Sequence, residues 1–99
     1  MPRTKKTYLE KELEDPKIAR DFYQESLILN IGEEIVKAME REGITRRQLV
    51  NRLRRLGYKY FKLKQILTGE KTPNLQELSD IFFVMGRELI LSEKKINHG

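Results

Sequence analysis

The sequence has no cysteine and no tryptophan, and its longest strictly apolar run covers only residues 81–85. The lack of cysteine excludes disulfide bonds, thiolate zinc sites and thiol nucleophiles. A helix that spans a bilayer needs about 20 apolar residues, and no basic start is followed by an apolar stretch of signal-peptide length. We therefore expect a soluble, cytoplasmic protein with no membrane contact.

Residues that could build a catalytic or metal-binding site are also scarce. The single histidine, His98, lies one residue before the end of the chain, where a tail residue is a better interpretation than a base or a ligand. We find no glycine-rich phosphate loop, no paired carboxylates in an apolar setting and no metal-ligand spacing. The acidic residues at 10–15 fall in a polar segment. We expect no enzymatic activity, no cofactor and no metal.

A chain of 99 residues, 38% of them hydrophobic and 35% charged, supports one small domain built from thin apolar stripes. We interpret residues 1–99 as a single domain. Within it, 1–30 form an N-terminal extension and helix, 31–89 the core and 90–99 a C-terminal arm. The apolar residues Leu89, Ile90 and Leu91 predict a short strand or arm that either contacts a second copy or folds back on its own domain.

Capping residues and glycines divide the chain into helices. Asp15 before Pro16, Thr45 with Gln48, and Asn74 with Glu77 are patterns typical of helix starts. Glycines typical of helix ends stand at positions 43, 57, 69 and 86. The pattern predicts helices from Pro16, at about 28–42, and at 45–56, 59–68 and 74–85, with a short turn at 8–13. The predicted fold is all-α, a compact bundle of about five helices.

The central pair of predicted helices, 45–56 and 59–68, is joined by a tight turn that contains Gly57. Two short helices joined in this way have helix–turn–helix geometry. On the second helix of the pair, Leu63, Ile66 and Leu67 share one face, whereas Phe61 and Gln65 lie on the opposite face. We expect that opposite face to be exposed, with the alternative that Phe61 belongs to the core.

The net charge of +5 is concentrated in the middle of the chain. Residues 41–71 contain ten basic and two acidic residues, and no acidic residue occurs between Gly43 and Gly69. Solvated helix faces normally mix both signs of charge to limit self-repulsion. The block is therefore interpreted as a surface for nucleic acid or another polyanion, with a solvated helix face as the alternative.

Several motifs in this region together resemble the Cro/C1-type (XRE-like) helix–turn–helix family. They include Gly43-Ile44-Thr45, Leu56-Gly57-Tyr58-Lys59, Ile66-Leu67-x-Gly69-x-Lys71-x-Pro73, Leu75-x-x-Leu78 and Met85-Gly86. The resemblance covers roughly residues 31–89. It implies a sequence-specific DNA-binding repressor whose second motif helix lies in the major groove. We expect a homodimer, because one short recognition helix reads only a few base pairs and two half-sites one helical turn apart supply the missing specificity.

The expected site follows from this resemblance and from the two helix faces. Side chains expected to hold phosphates are Arg46, Arg47, Lys59, Lys64 and Lys71. Side chains expected to face base edges are Phe61, Lys62, Gln65 and Tyr60, because an apolar group suits a thymine methyl and glutamine pairs with adenine.

The N-terminal segment adds a narrower resemblance. Leu13-Glu14-Asp15-Pro16, followed by a helix with aromatic residues, is similar to antitoxins of the HigA kind, which implies a toxin protein as a second partner. Three alternatives stay open: an autonomous phage-type repressor without a toxin, a protein-interaction module that binds an acidic partner, and an RNA-binding protein.

Overall fold

The computed structural model describes residues 15–96, and all regular structure within them is helical. In chain order the helices are α1 (Pro16–Glu42), α2 (Arg46–Arg55), α3 (Leu63–Leu67) and α4 (Leu75–Phe83). The predicted all-α class is confirmed. The predicted compact bundle of about five helices is not confirmed, because the described residues form four. The predicted turn at 8–13 and His98 lie outside the described residues.

Helix α1 replaces two predicted helices with one continuous helix. It begins as expected, because Oδ1 of Asp15 accepts a 2.9 Å hydrogen bond from the backbone N–H of Lys17. No proline or left-handed glycine separates its two halves, and Gly32 lies inside the helix. The predicted break near residue 28 was wrong, because a helix that has formed continues where nothing interrupts its backbone hydrogen bonds.

The described residues divide into two compact units. One unit is Ile28–Leu91, and the predicted core range 31–89 lies within it. The other combines the described residues up to Leu27 with those from Ser92 onward. In this second unit the rings of Phe22 and Tyr23 meet edge to face at 5.2 Å. The single domain 1–99 stays a prediction.

The unit Ile28–Leu91 has one hydrophobic core, to which every helix contributes. Its buried side chains are Ile35, Ala38, Met39, Ile44, Leu49, Leu53, Leu63, Ile66, Ile81, Phe82 and Met85. Half-buried apolar residues packed against this core include Tyr58, Phe61, Leu67 and Leu89. The core therefore holds the four helices of this part of the chain against one another.

The predicted helix caps are present. Thr45 and Gln48 form a reciprocal capping box at the start of α2, and Asn74 and Glu77 form another at the start of α4, with hydrogen bonds of 2.7–3.1 Å. Helix α2 ends at Arg55, and Gly57 follows the C-cap residue Leu56 with a φ of +113°, which favours glycine. The N–H of Tyr58 then donates to the carbonyl of Leu53 at 3.2 Å, which completes a Schellman motif.

The connection between α2 and α3 differs from the prediction. A tight turn and a helix from Lys59 were expected, but the connection runs from Leu56 to Lys62, and α3 begins only at Leu63. The reason is tertiary packing, because Tyr58 and Phe61 pack against the core with ring centroids 5.3 Å apart. These contacts hold the backbone between them out of helical geometry.

The segment after α4 is an arm without regular structure, and no strand is present in the described residues. Leu89 packs against the core, whereas Ile90 and Leu91 are 76% and 85% exposed. An ion pair of 2.8 Å between Arg87 and Glu42 fixes the start of the arm beside the end of α1. The arm is thus attached to its own domain at Arg87 and Leu89 and exposed immediately beyond.

Candidate nucleic-acid interface

A groove lies between α2 and the residues around the start of α3, and we call it the basic groove. The wall formed by α2 consists of Arg46, Arg47, Val50, Asn51 and Arg54. The opposite wall consists of Phe61, Lys62, Leu63, Lys64 and Gln65. Five of these ten residues are cationic and none is anionic, so the groove carries a concentrated positive potential.

Helical spacing explains why α2 presents these side chains to the groove. Leu49 and Leu53 are fully buried on one face, whereas Arg47, Asn51 and Arg54 recur at the spacing of another face. Helix α2 contains five arginines and no acidic residue. Its first turn contains Arg46 and Arg47, where the helix dipole disfavours positive charge.

Helix α3 is short and is held by its apolar residues. Leu63 and Ile66 are buried, which leaves Lys62 and Lys64 exposed and Gln65 half-buried at the groove. The backbone carbonyl of Gln65 accepts a 3.1 Å hydrogen bond from the N–H of Lys71, so the chain turns back immediately after α3. Gln65 therefore lines the groove from a fixed backbone.

A close backbone contact also positions α3. At Gly32, a Cβ atom would lie 2.7 Å from the carbonyl oxygen of Leu67 and 3.2 Å from its carbonyl carbon. Real Cβ atoms do not approach backbone atoms so closely. The end of α3 therefore rests directly on α1 at a place where only glycine fits. This glycine was not identified from the sequence.

The structure brings most of the predicted site residues together. Six of the nine line the basic groove: Arg46, Arg47, Phe61, Lys62, Lys64 and Gln65. The other three, Lys59, Tyr60 and Lys71, are exposed but do not line it. Their contacts with phosphates or bases stay predictions.

The expected orientation of Phe61 was wrong. It precedes α3, so the helical face assigned to it does not exist, and its ring is half-buried against the core and the ring of Tyr58. One edge of Phe61 still lines the groove. The alternative expectation, that Phe61 belongs to the core, agrees with most of the contacts of its ring.

Sequence reasoning missed part of the wall formed by α2. Asn51 and Arg54 line the groove, and Nη1 of Arg54 approaches Oδ1 of Asn51 at 3.4 Å. Their helical spacing from Arg47, which places the three side chains on one face of α2, could have identified them from the sequence. Arg52 has a different role, because its Nη1 donates a 2.9 Å hydrogen bond to the carbonyl of Val84 at the end of α4. Arg52 therefore stabilises the packing of α2 on α4.

The hydroxyl of Tyr58 anchors the connection before α3. It donates a 2.6 Å hydrogen bond to Oδ2 of Asp80 on α4. This hydrogen bond, partial burial and the negative charges of Asp80 and Glu77 raise the pKa of Tyr58 from 10.0 to about 12. The phenol is therefore a protonated donor at neutral pH, and its hydrogen bond to Asp80 is intact at that pH.

Residues 15–96 contain no cluster of three or more His, Asp or Glu side chains arranged to hold a metal ion, and no helix among them is long and apolar enough to cross a membrane. No family model, no curated protein and no solved structure matches this chain.

Proposed function

We propose that this chain is a sequence-specific DNA-binding protein of the helix–turn–helix class and that it acts as a transcriptional repressor. The observation that carries the proposal is the basic groove, in which five cationic side chains and the amide of Gln65 converge without any carboxylate. Polar side chains that reach base edges specify a sequence, whereas cations on phosphates supply affinity.

The proposed roles follow the position of each side chain. Helix α3 enters the major groove, where Gln65 and Lys62 meet base edges and the exposed edge of Phe61 meets a thymine methyl. Phosphates are held by Arg46, Arg47 and Lys64 from the basic groove and by Lys59 and Lys71 beside it. Such binding at an operator blocks access by the polymerase and takes place in the cytoplasm.

The first turn of α2 favours an anionic partner in particular. Arg46 and Arg47 stand where free backbone N–H groups and the helix dipole already attract negative charge. Without an anion these two charges disfavour the helix, and a phosphate placed there satisfies both the dipole and the side chains. An acidic protein is the alternative partner for the same surface.

Binding to DNA is tested by titrating a labelled 20-bp duplex of random sequence at several salt concentrations. If phosphates are the partner, log K falls linearly with log salt at a slope of about −0.9 per phosphate neutralised. Arg47→Ala and Lys64→Ala each reduce this slope by about one contact. No detectable binding to the duplex at low salt would contradict the proposal and favour the acidic-protein alternative.

The matched control is Lys37→Ala. Lys37 is exposed on α1, lies 3.5 Å from Glu34 and does not line the basic groove. Lys37→Ala removes the same charge from the protein as Lys64→Ala, but it removes no phosphate contact, so the salt slope of this variant equals that of the parent. A slope that falls equally for Lys37→Ala and Lys64→Ala would show dependence on net charge alone.

A second partner, a toxin protein, is favoured by exposed apolar residues in the first half of α1. Ile18 and Phe22 are 41% and 46% exposed and lie four residues apart on one face of the helix, a pattern typical of a protein contact. We propose that the chain is the antitoxin of a toxin–antitoxin pair. Co-expression with the product of the adjacent gene tests this, and failure to co-purify would leave an autonomous repressor.

A further inference from the structure

Tyr60 is the most exposed large apolar side chain among residues 15–96, with 90% of its surface accessible. An aromatic ring that is left in water contributes nothing to the core, and isolated exposed apolar residues need no explanation in general. Tyr60 differs from such residues because the surrounding structure holds it in this position.

The connection between α2 and α3 is fixed on both sides of Tyr60. On one side, Tyr58 is held to Asp80 by the 2.6 Å hydrogen bond. On the other side, Phe61 packs against the core and meets the ring of Tyr58 at an interplanar angle of 82°. With Tyr58 and Phe61 directed inward, Lys59 and Tyr60 form the outer tip of the connection, and we call these two residues the tip.

The charges around the tip suit a polyanion. Lys59 precedes Tyr60 and Lys62 follows it closely, and the sequence has no acidic residue between Gly43 and Gly69. Phe61 and Lys62 follow the tip directly and line the basic groove. Because consecutive Cα atoms are only about 3.8 Å apart, the tip lies at the rim of that groove. A duplex seated in the groove passes within reach of the tip.

We propose that Tyr60 packs its ring against deoxyribose and donates its hydroxyl to a phosphate of duplex DNA, beside the major groove that α3 enters. This inference rests on the proposed function. A backbone contact is favoured over a base contact because Tyr60 does not line the basic groove. Tyrosine is among the side chains that bind DNA phosphates, and such contacts position a protein without reading sequence.

The first experiment uses the lack of tryptophan in the chain. In Tyr60→Trp the indole is the sole tryptophan and stands at a site where its size disturbs no packing. We expect its emission to change when a random-sequence 20-bp duplex is added at low salt. Phe83→Trp is the control, because Phe83 is 65% exposed and does not line the basic groove, so its emission stays constant.

The second experiment measures affinity for the same labelled duplex. Tyr60→Ala weakens binding roughly three- to tenfold, the range expected for one hydrogen bond together with its packing. Tyr60→Phe retains the ring and loses less. Tyr60→Ala leaves the salt slope unchanged because tyrosine is neutral, whereas Lys59→Ala lowers it by about 0.9.

The outcomes separate this inference from the proposed function. If the parent protein binds no duplex, both fail. If it binds but Tyr60→Trp emission stays constant and Tyr60→Ala binds normally, only the contact by Tyr60 is wrong. If Tyr60→Ala weakens one sequence far more than others, Tyr60 reads a base. If Tyr60→Trp responds more strongly to single-stranded DNA than to the duplex, the ring stacks on unpaired bases, and the backbone assignment is wrong.

Discussion

The Tyr58 hydroxyl and the Asp80 carboxylate, 22 positions apart in the sequence, are joined by a 2.6 Å hydrogen bond. This contact ties the connection before α3 to α4, and the ring of Tyr58 supports Phe61 in the same connection. The start of α3, and with it the geometry of the basic groove, therefore depends on a contact that is remote from the groove itself.

Tyr58→Phe removes this hydrogen bond and retains the ring. Because the acceptor is charged and the pair is half-buried, we expect the free energy of unfolding to fall by about 1–2 kcal/mol. Urea denaturation at neutral pH measures the change. Tyr60→Phe is the control, since its hydroxyl is exposed, and its effect stays within about 0.5 kcal/mol. Equal stability of Tyr58→Phe and the parent would contradict the anchor.

The raised pKa of Tyr58 gives the same contact a pH signature. The folded pKa of about 12 exceeds the unfolded value of 10.0, so the folded state favours the protonated phenol. Its contribution is fully present below pH 10 and is lost as the pH rises through about 12. We expect the stability difference between the parent and Tyr58→Phe to shrink over that interval. A difference that stays constant would contradict this assignment.

Gly32→Ala tests the contact between α1 and α3. Alanine favours an isolated helix by about 1 kcal/mol over glycine, yet here its Cβ would collide with the carbonyl of Leu67 at 2.7 Å. We expect a net loss of about 1–3 kcal/mol, as for overpacking, together with weaker DNA binding because α3 shifts. Asn30→Ala is the control, because Asn30 is an exposed residue of α1. An increase in stability for Gly32→Ala would show that α3 adjusts without cost.

Phe61→Ala distinguishes the half-buried position from an outward one. Full truncation of a buried phenylalanine costs about 3–5 kcal/mol, and the half-buried ring of Phe61 is expected to cost about 2 kcal/mol. Tyr60→Ala, one residue away, is the matched control and stays within about 0.5 kcal/mol. Denaturation curves of the two variants measure the difference, and coincident curves would show that Phe61 is exposed.

Local signals in the sequence predicted the caps well and the start of α3 poorly. Thr45 and Asn74 act on backbone groups within three residues, so the pattern alone identifies them. The late start of α3 depends on the contact of Tyr58 with Asp80, for which no short pattern exists. The role of Gly32 likewise appears only when Leu67 is packed against it. Helical spacing was not a sufficient guide to the groove, because Asn51 on α2 was missed and Lys62 lines the groove although α3 begins only after it.

Gln65 and Lys64 are neighbours on α3 with different expected roles. Gln65→Ala is expected to cost about 1–3 kcal/mol on a preferred operator, selected from a random pool, and little on random DNA, because a bidentate base contact is lost. Lys64→Ala weakens both sequences alike. Competition binding with the two duplexes measures the ratio. An unchanged ratio for Gln65→Ala would assign base reading to another groove residue.

The exposed part of the C-terminal arm is the candidate contact of the proposed homodimer. Leu89 packs against its own core, so the residues available to a second copy are Ile90 and Leu91. Two half-sites are required because one short helix reads too few base pairs for specificity.

Replacing Ile90 and Leu91 with lysine places like charges across a symmetric contact, and we expect at least about a tenfold weaker dimer with a stability change within about 0.5 kcal/mol. Sedimentation equilibrium measures this against Leu75→Lys, an exposed position at the start of α4. If the double variant sediments as the parent dimer does, the dimer contact lies elsewhere, and if the parent itself is a monomer, the homodimer is wrong.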